Sequence, residues 1–180
     1  MRTIETTAYK FNELSESAQQ SAHEKYGFDD VDLSLTVSCF TELLEKIGFS
    51  NIKIYYSGFW SQGDGASFTG QYTYKKGFLK AVKRDWGNTE LHAILDQLQA
   101  VQKDDNYTLT SDIYQRGHYV HENTMYDNHD NDLLDNVWRS LAQWMYSTLE
   151  KAYEYQISFE VFSETAEANA WEFTENGEMV

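Results

Sequence analysis

NIKIYYSGFWSQGDGASFTGQYTY, residues 51 to 74, is where the chain's period changes from helical to strict alternation. In NIKIYYSGF and again in ASFTGQYTYKKG, apolar residues recur at every second position, the spacing at which a strand lines one face. Between them Gly63-Asp64-Gly65 offers two residues that take positive φ without a Cβ penalty, and a carboxylate able to hydrogen-bond the turn's own backbone. The stretch reads as a long β-hairpin. A phosphate-binding loop would need a strand, a Gly-rich turn with a lysine and a hydroxyl in fixed places, and then a helix whose N-terminus faces the anion. Here the turn leads into another strand, and that reading fails. A plain hairpin reversal remains, or a recognition loop in which Phe59 and Trp60 offer a stacking surface beside Ser61, Gln62 and Asp64.

On the N-terminal side, Leu33, Val37, Phe40, Leu44 and Ile47 recur at three- and four-residue intervals and Gly48 closes the run, which predicts a helix with one buried face. Cys39, the single cysteine, lies among Val37, Phe40 and Leu43 and is expected to be a buried, inert thiol; it excludes an internal disulfide. Before it, Ser15 is a candidate N-cap and Gly27 a stop for a helix over Glu16 to Tyr26, and Thr3 to Phe11 reads as a strand. After the hairpin, TELHAILDQLQAVQK predicts a helix with Thr89 as its cap. NYTLTSDIYQRGHYVHENTMY predicts a strand pair broken near Arg116 and Gly117. A long helix follows from about Asp132 to Gln156, with Leu134, Val137, Trp138, Leu141, Met145 and Leu149 on its core face. ANAWEFTENGEMV gives a short strand or ordered tail with an Asn-Gly turn at 176 and 177. Hairpins interspersed with helices, without regular βαβ alternation, imply an α+β fold: a mainly antiparallel sheet of hairpins packed against three to four helices, in a single domain over 1–180. A doubly wound parallel sheet is the alternative.

The chain has 29 acidic and 14 basic residues, a net charge of −15, yet 16% of it is aromatic. A disordered acidic chain lacks such side chains, so this is a folded acidic protein. Its field repels nucleic acid and anionic membrane and attracts basic protein surfaces, metal ions or cationic ligands. Residues 121 to 180 hold 13 acids and 2 bases. The only basic cluster is KKGFLKAVKR, Lys75 to Arg84, the one place that could contribute to a nucleic-acid groove. MRTIETTAYKF lacks the apolar core of a signal peptide and no later run is long enough to span a bilayer, so the expectation is a soluble cytoplasmic protein.

HYVHENTMYDNHD places His118, His121 and His129 near Glu122, Asp127 and Asp130, residue types that ligate zinc or manganese. His118 and His121 are three apart, however, and a continuous strand points them to opposite faces. They could share a metal only if the strand breaks between them. Isolated His23 and His92 offer less. No serine sits in a nucleophile-elbow pattern, and no catalytic residue and no cofactor is assigned.

Taken together, ELSESAQQSAHEKY, YYSGFWSQGDGASFTGQYTY, GHYVHENTMY and WEFTENGE resemble a family of small uncharacterised proteins encoded by bacteriophages and prophages, some of them labelled antitoxin-like. Asn176 stands here where an Asp is common in that family. The resemblance implies a phage protein acting in the host cytoplasm. With the charge, it leads to the expectation of a binding protein that inhibits or modulates a host defence or nucleic-acid-processing protein, in the manner of a nucleic-acid mimic. The partner is a host or phage protein with a basic surface, met through Asp127, Asp130, Asp132, Asp135, Glu164 and Glu167, with no direct nucleic-acid or membrane contact. Phe59, Trp60, Gln62 and Asp64 form the candidate ligand or partner loop. The alternatives are a small-ligand, nucleotide or metal-binding protein using that loop with His118 and His121, and an antitoxin-like partner of a toxin.

Overall fold

A computed structural model describes residues 7–29, 31–73, 77–101, 108–115, 125–126 and 131–180. In chain order the elements are β1 (Tyr9–Lys10), a 3-10 turn (Phe11–Glu13), α1 (Glu16–Tyr26), α2 (Ser34–Ile47), β2 (Phe49–Tyr56), β3 (Ala66–Thr73), α3 (Phe78–Asp85), α4 (Thr89–Val101), β4 (Thr108–Gln115), β5 (Met125–Tyr126), α5 (Asn131–Gln156), α6 (Phe159–Ala168) and β6 (Glu172–Phe173). The fold is α+β with antiparallel strand pairing, as expected, but the described residues hold six α-helices where three to four were expected. The additional helices, α3 and α6, are short and bury only two residues each, Phe78 and Val82 in one and Phe162 and Ala166 in the other. Two apolar residues at i, i+4 give too little stripe to stand out from the charges between them. No helix among the described residues is long and apolar enough to cross a membrane.

The chain groups into two compact units. Ser34–Glu150 contains the four-stranded antiparallel sheet, ordered β2-β3-β4-β5. The predicted hairpin is its β2–β3 pair, in register from Lys53 opposite Thr69 to Tyr56 opposite Ala66, with an irregularity between Ser50 and Lys53. Phe49, Phe68 and Tyr72 point into the core, where Phe49 and Tyr72 each meet the ring of Trp138 on α5 at 5.1 Å. On α2 the buried residues are Phe40, Leu43, Leu44 and Ile47. Cys39 is exposed, contrary to expectation. It precedes Phe40 by one residue and so lies about 100° around the helix from it. The cap of α4 is Asn88, whose Oδ1 accepts the Leu91 N–H at 2.9 Å, rather than Thr89, which is already helical.

Met1–Leu33 and Lys151–Val180 form the other unit. Of the strand expected over Thr3 to Phe11, residues 3–6 lie outside the described residues and Tyr9–Lys10 is extended; it stops before Phe11 because the Glu13 carboxylate accepts the Lys10 N–H at 2.7 Å and turns the chain into the 3-10 segment. This short strand pairs antiparallel with β6, Tyr9 opposite Phe173. Ser15 caps α1 as predicted, its Oγ accepting the Ala18 N–H at 3.3 Å. The core is Phe11, Leu14, Ala18, Ala22, Phe162, Ala166 and Phe173, with Tyr9, Tyr26 and Trp171 packed against it.

Two glycines with the same backbone separate conformation from packing. Gly77 and Gly177 both have φ +82°, but a Cβ on Gly77 meets nothing within 4 Å, whereas one on Gly177 would lie 2.2 Å from the Ala18 carbonyl oxygen. Only glycine lets the 174–178 turn press against α1. Urea denaturation of Gly77→Ala should show a loss of about 1 kcal/mol, the left-handed penalty alone. Gly177→Ala should lose about 3 kcal/mol, because the clash adds to that penalty.

Candidate functional site

The loop joining β2 to β3 is ordered from within. Ser57 N–H donates to the Gly65 carbonyl at 3.0 Å, and Gly65 N–H donates back to Ser57 Oγ at 2.9 Å. Asp64 accepts the Ser61 N–H on its carboxylate at 2.6 Å while its own N–H reaches the Ser61 carbonyl at 3.1 Å. This is the self-bonding turn anticipated for Asp64. Of the two expected glycines, only Gly63 takes positive φ, at +103°; Gly65 is buried at the neck of the loop instead.

The candidate loop residues therefore do different things. Phe59 is half-buried, stacked on Tyr56 at 6.4 Å and packed against Tyr146 of α5 at 5.7 Å; the Tyr146 hydroxyl donates to the Phe59 carbonyl at 3.1 Å. It ties the loop to the core. Trp60 is 65% exposed, and Gln62 is also on the surface. Tyr146 escaped the sequence reading because a residue 87 positions away carries no local signal of that contact.

The acidic candidates separate as well. Asp132 and Asp135 lie in the first turns of α5, in the Ser34–Glu150 unit, while Glu164 and Glu167 lie on α6, in the other. Asp127, Asp130, His118, His121 and His129 fall outside the described residues, and no group of three metal-ligating side chains occurs among the described ones. Glu160, Glu164 and Glu167 are all exposed, and their four- and three-residue spacing puts them on one face of α6, opposite buried Phe162 and Ala166. Glu160 completes a stripe of which the sequence reading had two members. His23 is a structural residue, its Nε2 donating to the Ile157 carbonyl at 2.7 Å between the rings of Phe159 and Phe162. His92 likewise bonds the Trp86 carbonyl.

Two described members of the basic cluster, Lys83 and Arg84, are paired with acids. Lys83 pairs with Asp96 at 2.8 Å, Arg84 with Asp85 at 2.8 Å, and Lys46 of α2 with the same Asp85 at 2.7 Å while lying over the Trp86 ring. The Arg84 guanidinium, and after it the Lys46 ammonium, hold the Asp85 carboxyl well below the usual carboxylate range. The Lys46–Asp85 and Lys83–Asp96 pairs tie α3 to α2 and to α4.

A family model described as a domain of unknown function, DUF8835, matches residues 31–158. The chain belongs to this family. The DUF8835 match takes in the hairpin, its loop and α5, and ends immediately before α6. No curated protein and no solved structure matches the chain.

In this DUF8835 chain, Tyr146→Phe should lower stability by about 1 kcal/mol through the lost bond to Phe59. Trp60→Ala should stay within about 0.5 kcal/mol of the parent, as an exposed site does; denaturant titration measures both. Because the Asp85 pKa is lowered by folding, its contribution to stability is present above the unfolded carboxylate value and is lost as pH falls through the folded one. Carboxyl NMR titration should place its midpoint below the ordinary range, and Arg84→Ala should raise it.

Proposed function

We propose that this chain is an acidic binding protein of phage origin that docks on the basic surface of a host or phage protein, inhibiting or modulating host defence or nucleic-acid processing. One observation carries the reading. The unit formed by the two ends of the sequence holds 14 acidic and 4 basic residues, a balance of −10, against −5 for the larger unit. Two of those four bases are already spent within the unit, Lys10 on Glu172 at 2.9 Å and Lys25 on Glu178 at 2.7 Å. The α6 stripe of Glu160, Glu164 and Glu167 faces outward from an apolar seat, so three carboxylates are held on one rigid face. Their spacing along the helix axis is about 6 and 4.5 Å. Fixed like charges of this kind steer a basic partner and set its orientation, and the resulting affinity weakens with salt. The phage setting rests on the resemblance of the four quoted motifs.

The test starts with affinity capture from a bacterial host lysate, identification of the retained protein by mass spectrometry, and binding measurements with that protein purified. Affinity should fall at least about tenfold from low to high salt, and should fall comparably when Glu160, Glu164 and Glu167 are each replaced by Lys. An affinity indifferent to both changes would sink the reading.

A further inference from the structure

The acidic unit also contains an open cleft of about 350 Å³, lined by Tyr26, Val31, Phe162, Thr165, Asn169 and Trp171 among others. That volume is near the lower end of the range for sites that take a small ligand or a side chain, about 300–1,000 Å³. Its aromatic residues come from three places: the end of α1, α6, and the segment leading into β6. The Phe162 and Trp171 rings are 5.9 Å apart and inclined by 55°. Among the described residues, no charged side chain lines the cleft. The nearest carboxylate on α6 is that of exposed Glu164, three residues on from Val161 and so its neighbour on the helix surface.

The polar groups of the wall favour one kind of guest. Gln156 is tied to the backbone of Asp32, its amide nitrogen donating to the Asp32 carbonyl at 2.8 Å and its oxygen accepting the Asp32 N–H at 2.9 Å. Asn169 donates one amide N–H to the Thr165 carbonyl at 2.9 Å, and its side-chain oxygen is an acceptor at the cleft wall. With the Thr165 hydroxyl, the cleft therefore offers oxygen acceptors among aromatic rings, inside a unit of balance −10. A guanidinium group is planar, has only donors, stacks on aromatic faces and is more weakly hydrated than an ammonium. Tyr26 already attracts a cation of its own chain, the Lys25 ammonium 5.4 Å from its ring centre.

Building on the reading of a basic partner, we infer that this cleft is the anchor for one arginine side chain in a basic segment of that partner, while the α6 carboxylates hold the flanking positive charges. Buried arginine against aromatic residues is a common centre of binding energy, whereas rim charges contribute mainly to encounter.

Calorimetric titration of the full chain with octa-arginine and octa-lysine peptides tests this. The arginine peptide should bind about tenfold tighter. Thr165→Phe, which fills the cleft, and Asn169→Leu, at an exposed helix end that keeps the fold, should each bring the two affinities close together and leave lysine-peptide binding unchanged. Thermal melts confirm that both variants fold. Equal binding of the two peptides, or an arginine preference that survives both variants, would overturn the anchor and leave a salt-sensitive acidic surface standing. Failure of both peptides to bind would overturn the anchor and the acidic docking reading together.

Discussion

Phe11 holds together the unit on which the proposed activity rests. Its ring lies 5.8, 5.4 and 5.8 Å from those of Phe159, Phe162 and Phe173, and it is 2% exposed. Burying one such side chain contributes about 1.5–3 kcal/mol, and each well-placed aromatic pair adds about 0.5–1.5 kcal/mol. These contacts fix the rotation of α6 about its axis. With Phe162 and Ala166 turned inward, Glu160, Glu164 and Glu167 have only the solvent side to occupy. The acidic face follows from an apolar contact on the far side of the same helix.

The Ser34–Glu150 unit spends its most distinctive sequence differently. In SGFWSQGDGASF, Ser57, Ser61, Asp64 and Gly65 satisfy one another, and Phe59 is drawn toward Tyr146. A loop closed by its own hydrogen bonds loses little entropy when something touches it. It presents Trp60 and Gln62 on a rigid support, while its carboxylate is occupied with the turn. Asp64 shapes the loop through its bond to the Ser61 N–H.

How much of this was legible in the sequence depended on whether a signal was local. The hairpin, α1 with its Ser15 cap, and α2 ending at Gly48 were readable because period and capping residues lie within a few positions of one another. Cys39 was misplaced because apolar neighbours in sequence do not share a helix face, and α6 was missed because two buried residues make too faint a stripe. The concentration of charge was only half visible. Counting along the chain put the acidity in the last third, whereas pairing β1 with β6 adds the acidic N-terminal segment to it. No periodicity could reveal that union, since it depends on contacts between opposite ends of the sequence.

That union sets an order of events during folding. Lys10 meets Glu172 across 162 residues of chain, a closure costing about 4–5 kcal/mol in chain entropy if everything between is loose. Ser34–Glu150 is contiguous and builds its sheet from neighbouring segments, β2 with β3 and β3 with β4. Once it is folded, most of the intervening chain is no longer loose, and the closing of the ends becomes correspondingly less costly. The smaller unit cannot assemble until Phe173 has left the ribosome, whereas the larger one is free to form during synthesis. The acidic face is thus completed after the sheet-bearing unit.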